Sequence, residues 1–157
     1  GIDSGISIVP NAVLHTNDSN RFEARHVHLR VENNSQSFFT NKYETNQVLS
    51  IPNAHAEGKL MMSEEKFDEL KTNNQIAFRY CDNEGNLEPG YPWNPNGAAY
   101  DIAGITNSQG NVLGMMPHPE RVFHGWQHAD WTSSGLDPSG PGDGRALFEG
   151  VVDFLCQ

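Results

Sequence analysis

His118 and Glu120 stand two positions apart in the run Gly114, Met115, Met116, Pro117, His118, Pro119, Glu120, Arg121, the stretch best suited to proton transfer. Where the chain is extended, side chains two apart point to the same side, so the imidazole and the carboxylate can lie together. A carboxylate beside an imidazole fixes its tautomer and stabilises the imidazolium that forms when the ring takes a proton. Pro117 and Pro119 restrict the backbone on either side of the histidine and favour a fixed presentation. The competing reading is a histidine and a glutamate in an ordinary turn, and residue types alone leave both open.

A second pattern is His26, His28 and Glu32, spaced H-x-H-x-x-x-E. On a strand the two histidines face the same way and could bind a transition metal, as in metalloproteins of the cupin type. That class also needs a downstream histidine motif with glycines and a proline at set spacing, which this sequence lacks. The plain alternative is two solvated histidines on a polar strand face. His118 and Glu120 also form the H-x-E of zinc deaminases, but no P-C-x-x-C follows them. The two cysteines, Cys81 and Cys156, are too few for a secreted disulfide framework. Cys81 reads as a structural thiol inside a strand, and Cys156 as the frayed end of the last helix.

The elements that must position these groups can be traced from hydrophobic spacing. Arg25 to Glu32 alternates polar with apolar, which predicts a strand with one buried face. Val48 to Ile51 predicts a short strand ending before Pro52, and Gly58 to Met62 a third. Ser63 supplies an N-cap, and Glu64 and Glu65 two first-turn acids, for a helix to about Asn73. Ile76, Phe78 and Tyr80 alternate with Ala77, Arg79 and Cys81 in another strand, closed by the turn residues Asp82 to Asn86. Pro89 to Gly97 reads as loop. Asp101 to Thr106 and Asn111 to Met116 are joined closely enough for an antiparallel hairpin. Residues 122–142 read as a long surface loop, in which Trp126 and Trp131 suggest a partner surface or a lid. Asp143 is placed to cap a final helix whose stripe is Leu147, Val151, Phe154 and Leu155.

With 157 residues, one domain with a real core is expected. Twenty acidic against ten basic residues give a net charge of −10, with the basic residues scattered. That balance argues against nucleic acid or an anionic membrane as partner. No apolar run approaches the roughly 20 residues of a spanning helix, and no leader-type sequence opens the chain, so a cytoplasmic protein is expected.

The run Met116 to Arg121, M-P-H-P-E-R, resembles the carboxyl-terminal motif of class I glutamine amidotransferases. Four other stretches resemble the branch that serves phosphoribosylformylglycinamidine synthase. They are Arg21 to Asn33 (R-F-E-A-R-H-V-H-L-R-V-E-N), Ile51 to Gly58 (I-P-N-A-H-A-E-G), Ile76 to Asn86 and Asn111 to Met116. The resemblance runs in order from about Pro10 to Arg121 and takes in the last helix.

The resemblance implies a doubly wound, flavodoxin-like α/β fold, of which residues 1–157 hold the later, mixed parallel and antiparallel portion as a single domain. It implies that His118 is the general base, that Glu120 orients it, and that His55 and Glu57 contact the glutamine substrate. It implies a glutaminase that passes ammonia to an ATP-dependent synthetase subunit in purine biosynthesis, with no cofactor of its own and with ATP and Mg used by that partner. Ala56 stands where the family usually has glycine, which would strain the loop if that position needs a positive φ. The family's nucleophile is a cysteine on a G-x-C-x-G elbow just upstream of the matched region. Gly1, Ile2, Asp3, Ser4 and Gly5 echo that spacing with Asp3 at the cysteine position, so residues 1–9 are either a degenerate remnant or foreign to the domain. A carboxylate cannot replace the thiolate, and the chain alone is expected to be inactive. A bare sheet edge would then call for a companion chain or for self-association. A non-catalytic assembly module is the remaining alternative.

Overall fold

The computed structural model describes residues 11–32 and 37–156. Its strands are β1 (Ala12–His15), β2 (Glu23–Val31), β3 (Val48–His55), β4 (Lys59–Met62), β5 (Ile76–Cys81), β6 (Ile102–Thr106) and β7 (Leu113–Met115). The helices are α1 (Glu64–Thr72) and α2 (Arg145–Leu155), and tight helical turns occupy Ala99–Asp101, Pro119–Val122 and Gly125–Gln127. The Gly1 to Gly5 stretch, with Asp3, lies outside the described residues.

The main sheet has five strands in the order β3-β2-β5-β6-β7, while β1 and β4 form a separate pair. Every pairing between these strands is antiparallel, so the parallel part of a doubly wound sheet is not represented among the described strands. Alternation sets the faces. Val27, Leu29 and Val31 of β2 and Leu49 and Ile51 of β3 go inward, where Phe78, Tyr80 and Leu147 complete one core cluster. Burying a large apolar side chain is worth about 1.5 to 3 kcal/mol, so this layer dominates the sheet's stability. Strand β5 is third of five and is covered on both faces, which is why Ala77 and Cys81 are as buried as Phe78 and Tyr80.

Helix α1 forms as its sequence predicts. Ser63 Oγ accepts the Lys66 N–H, and Asn73 closes the helix.

Strand β3 departs from expectation by running through Pro52 to His55. Proline is tolerated there because β3 is an edge strand and its missing N–H falls on the unpaired side. That edge is not bare. The Ser50 N–H donates to the Asp143 carboxylate at 2.7 Å, and the Pro52 carbonyl accepts the His118 N–H at 2.7 Å. On this side of the sheet the expected route to self-association is occupied by the chain itself.

Asp143 therefore does not cap α2. The residue before that helix is Gly144, with no side-chain cap. The Tyr43 hydroxyl fills the role, accepting the Leu147 N–H at 3.1 Å and donating to the Asp143 carbonyl at 2.8 Å. The expected stripe also shifts. Leu147 and Gly150 are buried, Phe154 stacks on Phe38 at 4.4 Å, and Leu155 is exposed. The helix rolls this way because Gly150 brings it against the Phe38 backbone, where a Cβ would lie 2.0 Å from the carbonyl oxygen. Of the expected positions 147, 151, 154 and 155, Leu147 is buried and Val151 half-buried, Phe154 and Leu155 are exposed, and Gly150 joins the buried face.

Residues 122–142 are a knitted strap rather than a free loop. Gly125 N–H donates to the Gly140 carbonyl and Trp126 N–H to that of Pro138, while Gly142 and Gly144 bond back to Phe123 and Val122. Trp126 and Trp131 remain exposed on it.

Candidate active site

β7 ends at Met115, and the chain then passes through Pro117 and His118 into the tight turn Pro119–Val122. Pro119 opens that turn, where a residue without an N–H costs nothing, and it keeps His118 out of the helical region, at φ −108° and ψ 87°. Val122, fully buried, anchors the other end in the core. His118 Nδ1 lies 2.8 Å from Glu120 Oε1. The histidine side chain is 26% exposed and the glutamate 54%, so the pair faces open space rather than the interior. With Nδ1 engaged by the carboxylate, Nε2 is left to take or give a proton. Arg121 Nε stands 3.8 Å from the same carboxylate oxygen and adds a looser ionic partner.

His55 closes β3 and stacks on His118, with ring centroids 4.9 Å apart and planes 19° from parallel. Its Nε2 is buried and has no hydrogen-bond partner among the described residues. Burial pushes the His55 pKa down, the Met116 backbone carbonyl works in the opposite direction, and His118 and Arg121 push it further down. Ala56 is not among the residues with positive φ, so alanine sits there without the strain a glycine-only position would impose. Glu57 is exposed and is not hydrogen-bonded to His118 or His55.

The turn that follows His55 is held by Asn17, which no sequence pattern marks. Its side-chain amide donates to the His55 carbonyl at 2.6 Å and to the Arg21 carbonyl at 2.9 Å, and its oxygen accepts the Gly58 N–H at 2.9 Å. The Asn17 N–H donates to the Ala56 carbonyl at 2.9 Å. A second buried group braces the same strand end: Asn53 Nδ2 donates to Asn96 Oδ1 at 3.1 Å, and Asn96 Nδ2 to the Tyr80 hydroxyl at 3.1 Å.

The metal reading of His26, His28 and Glu32 is not sustained. Glu32 turns to Arg30, whose Nε is 2.6 Å away. His26 pairs with Ser50 Oγ at 3.3 Å and lies against His128, and His28 lies against Trp93. Among the described residues no group of three or more His, Cys, Asp or Glu is arranged to hold a metal ion.

Neither cysteine meets His118. Cys81 is on β5, with β2 between it and β3, hence roughly 10 Å across the sheet from the strand His118 caps. Burial pushes its thiol up to about 12, far from the thiolate a nucleophile needs. Cys156 is exposed at the far end of α2. A cavity of about 440 Å³ opens between Asp18, Ser19 and the Gly90 to Gly97 loop, but neither His118 nor Glu120 lines it. The paired groups instead lie on an open surface.

An imidazole backed by a carboxylate on a mixed α/β scaffold is an arrangement able to transfer protons. The family model of the CobB/CobQ-like glutamine amidotransferase domain matches residues 7–155, and the chain belongs to that family. It is 43% identical over 157 residues to phosphoribosylformylglycinamidine synthase subunit PurQ of Archaeoglobus fulgidus, covering 98% of this chain and 54% of that protein. It is 49% identical over 117 residues to the PurQ subunit of Picrophilus torridus, covering 73% of this chain and 44% of that protein. A chain in the structure of PurLQS from Thermotoga maritima superposes with a TM-score of 0.65 at 29% identity, over 92% of this chain and 53% of that one. The chain thus spans about half the length of the curated relatives it matches.

Proposed function

We propose that this chain contributes the general base and its orienting carboxylate to a glutaminase, with glutamine as substrate and the synthetase subunit of phosphoribosylformylglycinamidine synthase as partner. The observation that carries this is the 2.8 Å contact of His118 Nδ1 with Glu120 Oε1, which leaves Nε2 free on an open face. Kinship with subunits of that synthase supports the choice of substrate, partner and purine pathway.

In this reading a thiolate from polypeptide beyond these 157 residues attacks the side-chain amide carbon of glutamine. His118 Nε2 takes the thiol proton and hands it to the departing ammonia as the thioester forms. It then takes a proton from the water that hydrolyses the thioester, which releases glutamate and restores the thiol. Glu120 holds the tautomer and stabilises the imidazolium. The His55 to Gly58 turn, with Glu57 exposed upon it, forms the wall the glutamine meets. Ammonia passes to the synthetase, where ATP and Mg are used, and this subunit needs no cofactor. No described helix is long and apolar enough to cross a membrane, and the cytoplasm is the compartment the reading assigns.

The test is ammonia release from glutamine. The chain alone is expected to release none. In the assembly that supplies the cysteine and the synthetase, His118→Ala is expected to lower release by about 10² to 10⁴-fold. Release by the chain alone that His118→Ala abolishes would contradict the need for an outside nucleophile. An assembly whose rate His118→Ala leaves intact would reduce the chain to an assembly module.

A further inference from the structure

Three facts about His55 are independent of its place in the sequence motif. Its ring lies face to face with His118 at 4.9 Å and 19°. Its Nε2 is buried without a partner among the described residues, so that atom is not presented to a substrate. Its backbone is fixed from both sides, by pairing with Glu23 in the β2–β3 ladder and by the Asn17 amide on its carbonyl.

His118, in contrast, is under-determined by its other contacts. The bond from its N–H to the Pro52 carbonyl fixes the backbone, and Glu120 fixes one ring nitrogen. One hydrogen bond to a half-exposed, flexible carboxylate leaves the ring free to rock about the Nδ1 to oxygen axis and to turn over. Turning over would put Cδ2 where Nδ1 stood, break the bond to Glu120 and so release the tautomer. A second aromatic plane against its face opposes both motions, because any tilt of the ring forfeits the stacked contact and carries Nδ1 out of line with the carboxylate.

We infer that His55 is a positioning residue: its ring, immobilised by Asn17 and β3, is the plate against which His118 is held with Nε2 outward. This rests on the proposed function for its purpose, but not for its geometry. His55 suits the role only as a neutral ring, since a charged one would oppose the imidazolium beside it. The groups that face it set that state: His118 and Arg121 disfavour a charge on His55, as burial does, and only the Met116 carbonyl favours one. A neutral aromatic face is also the partner an imidazolium prefers.

The test is made on the 157-residue chain by long-range proton–nitrogen NMR correlations of the His118 ring in alkaline buffer, where the ring is neutral. His118 is assigned by its loss in His118→Gln. The unaltered chain is expected to show one tautomer, proton on Nδ1. His55→Leu fills the space without a flat face and is expected to give a mixture of both tautomers, whereas His55→Phe keeps the plate and is expected to retain the single form. A single tautomer in His55→Leu overturns the inference, and so does a mixture in His55→Phe, which would assign the effect to the polar atoms of His55. Should the leucine variant lose its dispersed spectrum, the phenylalanine variant decides in the same way. Because ammonia release is not the readout, a failure here leaves the glutaminase reading standing, and the converse also holds.

Discussion

The backbone N–H of His118 donates to the carbonyl of Pro52 at 2.7 Å, so the motif histidine is moored to the outer edge of β3. Residues more than sixty positions apart in sequence thereby meet at one spot: β3 delivers Pro52 and then His55, and the segment after β7 delivers His118 and Glu120. The ladder's alternation makes this possible. Opposite β2, residues Ser50 and Pro52 turn their backbone groups away from the sheet, and both outward groups are used.

Ser50 gives the first prediction. Its N–H is satisfied by the Asp143 carboxylate at 2.7 Å, a charge-assisted bond in a half-buried setting. Asp143→Ala leaves that N–H without its partner, and a loss of about 1 to 2 kcal/mol is expected. Urea melts followed by circular dichroism give the difference. An unchanged midpoint would show that water serves Ser50 equally well.

Gly144 couples the last helix to the site. A Cβ there would sit 1.9 Å from the Pro119 carbonyl oxygen and 2.6 Å from its carbon, in the turn that carries Glu120. Backbone cannot yield as a flexible side chain can, so Gly144→Ala must displace the turn or the start of α2. A cost of about 1 to 3 kcal/mol is expected, together with loss of the single His118 tautomer, since Glu120 moves with Pro119. Retention of both stability and tautomer would show that the turn yields to the added methyl without cost.

How much of this was legible in the sequence depends on where each instruction resides. The nearness of His118 and Glu120 was, because it is local, but the reason differs: extended alternation was expected, whereas Glu120 sits in the tight turn Pro119–Val122, which folds its carboxylate back to the ring. Helix α1 was as well, with Ser63, Glu64 and Glu65 at its start. Pro52 misled, because a proline ends a central strand but not an edge strand, and edge status is set by the sheet order. Asp143 misled for a related reason: a capping type at a helix start is recruited elsewhere when an outward N–H lies nearer. Asn17 was invisible. A lone asparagine in a loop carries no pattern, and its importance arises only when β3 folds back beside it. Helix α2 kept its amphipathic signal, but Gly150 decided which way the helix faces, and close approach is a property of two segments together.

Asn17 supplies the third prediction. It is buried, and its side chain makes three hydrogen bonds to backbone groups of the two turns it joins. Asn17→Ala strands those groups away from water, with an expected cost of roughly 2 to 4 kcal/mol. Asn17→Asp keeps the acceptor for Gly58 but turns a carboxylate oxygen toward the His55 carbonyl, so it should be no better than alanine. Denaturant midpoints for the two variants test the order, and an aspartate variant as stable as the parent would refute it.

The two thiols should separate by reactivity. Cys81 is buried with its thiol pushed up to about 12, first by burial, and Cys156 is exposed. At neutral pH a thiol reagent should modify one group quickly and the second only at the rate of unfolding. Mass spectrometry of the labelled chain, with and without urea, reads this directly. Rapid labelling of Cys81 in the native state would reopen its candidacy as a nucleophile.

Three histidines whose partial burial disfavours the charged form should make the fold sensitive to acid. His26, His28 and His55 all have pKa values below their ordinary 6.5, with burial the first cause of each. His128 lowers His26 and His28 further, while Asp143 raises both; Asp130 raises His26 and Asp82 raises His28. Since the folded chain resists protons that the unfolded chain accepts, stability is full above about 6.5 and falls as pH drops through that value toward the lowered ones. Urea midpoints should therefore be higher at about pH 7.5 than at about pH 5.5. His28→Gln, which cannot titrate, should flatten that slope, since His28 Nδ1 is buried and has no hydrogen-bond partner among the described residues. A slope unaltered by the substitution would place the acid sensitivity in other groups.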